Sequence, residues 1–330
     1  MRKILYLIMC LPLLLLSACD VHEWPDTPEY VKLHLCLKYE TDMTRWDHLY
    51  DGTSVIDLGY GETYDNHLDY GMIRYIVRTY PVTGKQRTMQ DYTQEFVFFK
   101  GVSEGYDHEV TLDVLSGNYN VMIWSDLVRS SEDNHFYNID SFSEITLQGY
   151  HNGNTDHRDV FCGKNYISLP INRGNQTHWT INVEMKRPIA KFEIISNDLQ
   201  EFVETKAIDF NQYKAKIQYV GYMPNAYSLF ADRPVASITG GVFDSALTKL
   251  TDTEVSLGFD YVFVSGNGTT VTIRIGIYDS EDHLISLSDP ITIPVKPDYH
   301  TILKGRFMTQ DTSNGVDIDV DFGGDYNIIL

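Results

Sequence analysis

The sequence predicts an all-β protein: two tandem β-sandwich domains, with a short helix in the second. Three observations carry this. Apolar and polar residues alternate at period 2 through most of the chain. The alternating runs are bounded by Gly, Asn, Asp and Pro. The βαβ rhythm of a parallel sheet is missing, which points to antiparallel sheets with one wet face. At 43% hydrophobic and 13% aromatic, the chain carries enough apolar surface for a core and is not disordered.

The N-terminus precedes this pattern. Arg2 and Lys3 open it, Ile4 to Leu16 is apolar, and Leu16-Ser17-Ala18 leads into Cys19. This is the order of a secretory signal peptide. The apolar run is too short to span about 30 Å of hydrocarbon comfortably, and Pro12 interrupts it. Leu-Ser-Ala-Cys resembles the bacterial lipobox, which makes Cys19 the expected lipid attachment point and residues 1–18 the excised signal. The lipid would then hold a non-spanning protein at the membrane, at roughly 0.8 kcal/mol per buried CH₂. Residues 19–29 hold two prolines and several acids and read as an extended tether. Asp20 after the cysteine, with more acid behind it, fits an acidic surface-export signal or an ordinary solvated linker.

Removing residues 1–18 of 330 leaves 312, a length suited to two domains. Arg2 and Lys3 leave too, which takes the net charge from −20 to −22. Phosphate backbones need Lys and Arg, so nucleic acid is a poor partner. Anionic lipid would repel the chain as well, leaving the acyl chains as the membrane anchor.

The first domain, 30–187, opens with Val31, Leu33, Leu35 and Leu37 alternating with Lys32, His34, Cys36 and Lys38. Met72 to Tyr80 is rich in Ile, Val and Tyr. Phe96 to Phe99 is a continuous apolar run, which predicts burial on both faces. Val110, Leu112 and Val114 form the next strand, and Ser116-Gly117-Asn118 turns the chain into Tyr119 to Trp124. Residues 126–160 read as long loops carrying one short strand, Ser143 to Leu147. Trp179, Ile181, Val183 and Met185 close the domain. Cys36 and Cys162 remain once Cys10 and Cys19 are set aside. An exported compartment permits a disulfide, but Cys36 lies on the charged side of its strand, which favours two unpaired thiols.

The boundary falls at Arg187-Pro188, and the second domain, 188–330, starts at once with Ala190, Phe192 and Ile194. Asn197 to Ala207 is the helix, with Asp198 as its cap. Strands follow at Ala215 to Tyr219 and Val255 to Phe263. Gly266-Asn267-Gly268 signals a hairpin into Val271 to Ile277. Ile291 to Val295, Thr301 to Phe307 and Val316 to Phe322 complete the set.

Catalytic motifs are missing: no nucleophile elbow, no His-Glu-x-x-His, no phosphate-binding glycine loop, no Cys-x-x-Cys. A glycosidase carboxylate pair is a purely spatial arrangement that sequence does not reveal. His151, His157 and Cys162 are close in sequence but fit no zinc spacing. Asp317, Asp319 and Asp321 alternate with apolar residues as a solvated strand face, without the Gly and Glu of a calcium loop. No metal or cofactor is expected. Trp124 and Trp179 read as packing residues. Trp46, in a polar stretch, is the candidate ligand contact. Asp244-Ser245-Ala246 matches an O-glycosylation pattern, which makes Ser245 a candidate acceptor.

Three stretches carry a family resemblance: Gly117 to Asp126, Met185 to Phe192, and Tyr299 to Thr309 followed by Val316 to Gly324. With the lipobox and Val21-His22-Glu23-Trp24-Pro25, the chain resembles the fimbrillin and fimbrial-anchor superfamily of type V pili, closest to its Mfa-like and FimB-like lipoproteins. The resemblance implies two transthyretin-like sandwiches and a non-enzymatic surface lipoprotein of the outer membrane. Such a protein would be a fimbrial anchor or minor subunit, with other fimbrial subunits as partners and assembly by β-strand addition. In major subunits of that superfamily a protease cuts after an arginine. Arg45 and Arg129 are the conceivable points here, and each reads better as a solvated arginine. The alternative is a glycan-binding surface lipoprotein using exposed aromatics.

Overall fold

The structure, a computed structural model, describes residues 29–66, 68, 71–82, 92–131, 136–149, 152–170, 178–206 and 209–310. The expected strand at Val316 to Phe322, His151 and the Asp317/Asp319/Asp321 run lie outside them, as does Cys19. Among the described residues no helix is long and apolar enough to cross a membrane.

The chain is all-β. β1 (Tyr30–Tyr39) turns Val31, Leu33, Leu35 and Leu37 inward, as the alternation requires. β2 (Asp42–Tyr50) and β3 (Val55–Asp65) form a hairpin. β4 (Met72–Pro81), β5 (Gln94–Gly101), β6 (His108–Leu115) and β7 (Gly117–Val128) follow. Two short strands, β8 (Tyr137–Asn138) and β9 (Ile145–Leu147), interrupt the polar region, where the sequence predicts one. β10 (Val160–Leu169) and β11 (His178–Met185) end the first half.

The second half runs β12 (Ile189–Ser196), α1 (Leu199–Lys206), β13 (Lys214–Tyr219), β14 (Met223–Ser228), β15 (Arg233–Ile238) and β16 (Val242–Ala246). It continues through β17 (Thr248–Lys249), β18 (Val255–Phe263), β19 (Thr269–Tyr278), β20 (Leu284–Leu287), β21 (Ile291–Val295) and β22 (Tyr299–Gly305).

One sandwich packs the sheet β11-β1-β6 on β10-β7-β4-β5, around Leu33, Leu35, Tyr75, Val121, Ile123 and Phe161. The other packs β17-β18-β12-β22-β2-β3 on β16-β13-β19-β20, with β21 also on β19. Its core holds Phe192, Ile194, Ile217, Leu257, Ile275 and Leu303. Sheet membership does not follow chain order: β2 and β3 leave β1 and join β22. Tyr50, at the end of β2, stacks on Phe307 with ring centroids 5.9 Å apart. A third apolar cluster joins the halves through Trp124, Tyr137, Phe142, Ile189, Tyr227 and Phe263, supported by β9 pairing with β14. Trp124 is fully buried there, which agrees with its reading as a packing residue.

Several local expectations change. β1–β11, β12–β22 and β2–β22 pair in parallel, against the antiparallel expectation. Each joins strands far apart in sequence, so no βαβ unit is needed. Gly266-Asn267-Gly268 is not a hairpin turn. β18 pairs with β12 and β17, whereas β19 pairs with β13, β20 and β21, so the turn carries the chain between sheets. Asp198 is buried, and its carboxylate accepts from Ser196 and Thr309; it ties the helix start to the C-terminal segment. Cys36 and Cys162 are both unpaired, as the sequence favours, and both are buried.

Where the halves meet, a buried ionic network lies beside the third apolar cluster. Arg187 donates from Nε and Nη2 to Asp159 at 2.9 and 3.0 Å. Its remaining N–H groups reach the carbonyls of Glu40, Thr41 and Asp42 and the Asp298 carboxylate. Burial opposes the charge, but Asp159 outweighs it and holds the guanidinium above its usual pKa. Nearby, Lys191 and the Tyr261 hydroxyl both donate to Asp156, at 2.8 and 2.5 Å, and Arg158 pairs with Asp260. His300 is buried between Tyr64 and Glu193, with Nε2 3.1 Å from the Glu193 carboxylate.

Arg187→Met should cost roughly 3–5 kcal/mol in urea unfolding, because Asp159 and three carbonyls lose their donor. A double variant with Asp159→Leu should recover part of that loss, since no unpaired charge remains. Stability should also fall with acid. Burial lowers the His300 pKa from its ordinary 6.5, with Glu193 opposing. The unfolded chain therefore binds a proton first, and stability declines as pH drops below about 6.5. Glu193 is lowered from 4.5, where burial is outweighed by His300 and Ser256. Its contribution is lost in a second step below about 4.5. Thermal unfolding from pH 8 to 4 checks this, with His300→Gln expected to remove the upper step and shrink the lower one, since His300 helps to hold Glu193 down.

Candidate functional site

Strand edges are where a sandwich can accept another chain, because their N–H and C=O groups lack partners. One side of the first sandwich is joined at a single point. Cys162 and Lys186 exchange two main-chain hydrogen bonds, at 2.8 and 2.9 Å, between β10 and β11. Gly163 lets the strands come this close: a Cβ there would lie 2.7 Å from a Val183 methyl carbon.

The opposite side, between β5 and β6, is open. β5 pairs with β4 in one unbroken register, from Met72↔Gly101 to Thr79↔Gln94. Its outer edge has no main-chain partner among the described residues. The β5–β6 space is spanned by side chains. The Gln94 amide donates to the Asp113 carbonyl at 3.1 Å and accepts from Leu115 N–H at 2.8 Å. Lys100 donates to the Asp107 carbonyl at 2.8 Å. Between these tethers Phe96, Phe98 and Val110 reach the core but stay partly covered. Phe98 stacks on Tyr75 at 4.9 Å. On the outer face Val97 is 49% exposed. The expectation that Phe96 to Phe99 is buried on both faces is corrected: this is a flat apolar edge strand. Glu95 and Lys100, charges at either end of the run, are the sequence signal that marks it as an edge.

The other long edge, β3, is built differently. It carries one extra residue between the Trp46↔Tyr60 and Thr44↔Thr63 pairs, and another between Asp47↔Gly59 and His48↔Asp57. Gly59 takes φ +93° beside the second irregularity, a conformation that disfavours any side chain. Bulges of this kind twist an edge away from further pairing.

Trp46 lies on this hairpin, half-buried, donating Nε1 to Asp57 at 3.0 Å. Lys296 Nζ lies 5.1, 5.2 and 4.2 Å from the ring centres of Trp46, Tyr60 and Tyr299. The Tyr60 hydroxyl hydrogen-bonds the ammonium and raises its pKa. The Trp46 and Tyr60 planes differ by 37°, and those of Tyr60 and Tyr299 by 51°, so the rings cage a lysine and do not form a coplanar platform.

Ser245 is buried in β16, 3% exposed, with Oγ donating to the Ala246 carbonyl. In the folded chain the hydroxyl is therefore turned inward. Arg45 pairs with Asp47 at 2.8 Å, and Arg129 is exposed just beyond β7. His157 and Cys162 are both buried and form no three-ligand cluster among the described residues. Burial pushes the Cys162 thiol up to about 12.

The fold and this surface define a two-sandwich all-β protein whose β5 edge is regular, apolar and without a main-chain partner among the described residues. By sequence the chain belongs to a family of unknown function, DUF6562, whose profile matches residues 28–330. No curated protein matches it. In shape it is similar to the fimbrial anchor protein Mfa2 from Porphyromonas gingivalis, at 10% identity and TM-score 0.39, over 78% of this chain and 82% of that one. It is also similar to a fimbrial assembly protein from Parabacteroides distasonis, at 12% identity and TM-score 0.40, over 85% and 92%.

Gln94→Ala removes both tethers at one end of the β5–β6 gap. It should cost about 1 kcal/mol of stability and speed hydrogen exchange at Phe96 to Phe99 more than in β4. Mass-spectrometric exchange resolves the two strands.

Proposed function

We propose that this chain is a non-enzymatic surface lipoprotein of a fimbrial system, an anchor or minor subunit, held at the outer membrane through Cys19. It receives a strand from a neighbouring subunit along β5. The observation that carries the reading is the β5 edge. It is regular over eight residues, lacks a main-chain partner among the described residues, and leaves Phe96, Phe98 and Val110 partly covered. An added strand would satisfy the free backbone groups, and its alternate side chains would finish covering those rings. The bulged edge at β3 supports the same choice, since it is a poor acceptor.

Val97→Lys tests the reading without disturbing the core, because Val97 faces solvent. A charge on an edge strand opposes apolar addition. In a crosslinked pull-down from intact cells, wild-type protein should bring down fimbrial subunits in an SDS-resistant ladder. Val97→Lys should weaken capture about tenfold, equivalent to roughly 1.4 kcal/mol, with an unchanged melting temperature. Cys19→Ala should lose surface attachment and keep partner binding. A wild-type protein that stays monomeric and is retained by a polysaccharide panel would overturn the fimbrial reading.

A further inference from the structure

The outer face of the first sandwich carries a donor set that the fimbrial reading does not use. His34 and Cys36 are two residues apart on β1, so both point to the same face of the β11-β1-β6 sheet. Register places Glu109 of β6 opposite Cys36, and Thr111 opposite His34. One ring nitrogen of His34, the Cys36 sulfur and a Glu109 carboxylate oxygen all lie within 4.8 Å of one another. The neighbouring lysines are engaged elsewhere: Lys32 pairs with Asp113 at 2.6 Å and Lys38 with Asp107 at 2.8 Å. Lys38 also exerts its charge on Glu109 and Cys36 across this face.

Orientation strengthens the case. His34 Nδ1 lies 3.1 Å from the Thr111 hydroxyl, and Nε2 lies 3.7 Å from the Glu109 carboxylate. When Nδ1–H donates to Thr111, the Nε2 lone pair faces the space shared with the carboxylate and the sulfur. Fixing the tautomer through the far nitrogen is how metal-binding histidines are held.

We propose that His34 Nε2, Cys36 Sγ and a Glu109 carboxylate oxygen form a Zn²⁺ site that ties β1 to β6. Thiolate with imidazole and carboxylate suits Zn²⁺, whereas Ca²⁺ and Mg²⁺ demand oxygen donors. Tetrahedral zinc at its usual bond lengths sets ligand atoms about 3.5 Å apart, so the three close by about 1 Å through side-chain rotation. Binding releases the Cys36 thiol proton to solvent, and water completes the fourth position.

The test uses the purified full-length chain in reducing, chelator-free buffer. Co²⁺ should bind one equivalent and give a thiolate-to-cobalt charge-transfer band in the near ultraviolet, which Zn²⁺ abolishes by displacement. Cys36→Ser should remove the band and lower Zn²⁺ affinity at least about tenfold. Thr111→Val should keep the band and weaken binding about tenfold. Cys162→Ser should change neither. Zn²⁺ should also protect Cys36 of the wild type from alkylation, which needs no variant to fold. The proposal is overturned if wild type shows no thiolate band, if Cys162→Ser is the change that removes it, or if Zn²⁺ leaves Cys36 alkylation unchanged.

Discussion

A buried guanidinium organises the meeting of the two sandwiches. Arg187 stands between β11 of one and β12 of the other. It is 3% exposed and surrounded by Asp159, Asp298 and the carbonyls of the β1–β2 turn. An uncompensated charge in that position would be prohibitive. Every group that compensates it is therefore fixed in place: the turn after β1, the segment before β10 and the turn before β22. The β1–β2 turn in that grip is what sends β2 away from its sequence neighbour and onto β22.

Much of this fold was legible because alternation reports burial directly. Val31 to Leu37, Ala190 to Ile194 and Val271 to Ile277 all face the cores they were expected to face. Pairing partners were not legible. Period 2 says which face of a strand is buried but is silent on whether its neighbour runs parallel, so β1–β11 and β12–β22 could not be read. The turn at Gly266-Asn267-Gly268 failed for a related reason. Its glycines permit a reversal, and the flanking strands decide whether that reversal stays within one sheet.

The site was less legible than the fold. Phe96 to Phe99 reads as core because all four residues are apolar; only the missing strand beyond them makes them an edge. Ser245 fits a three-letter pattern that carries no burial information, and the sheet places it inside. Trp46 stands in a polar stretch, which suggested a free ring; its partners Lys296 and Tyr299 come from some 250 residues away. His34, Cys36 and Glu109 illustrate the same limit, since two neighbours on one strand become a trio only through register with another.

The crossing of β2 and β3 onto β22 has a consequence for how the chain is made. Residues 42–65 emerge from a ribosome or a translocase well before residues 299–305, their pairing partner. The early hairpin must wait with one edge open until β22 has arrived, and long-range pairing of this kind is slow. Completion of the second sandwich thus waits on the arrival of β22: a chain that stops short of it leaves both β2 and β12 without the strand that joins them.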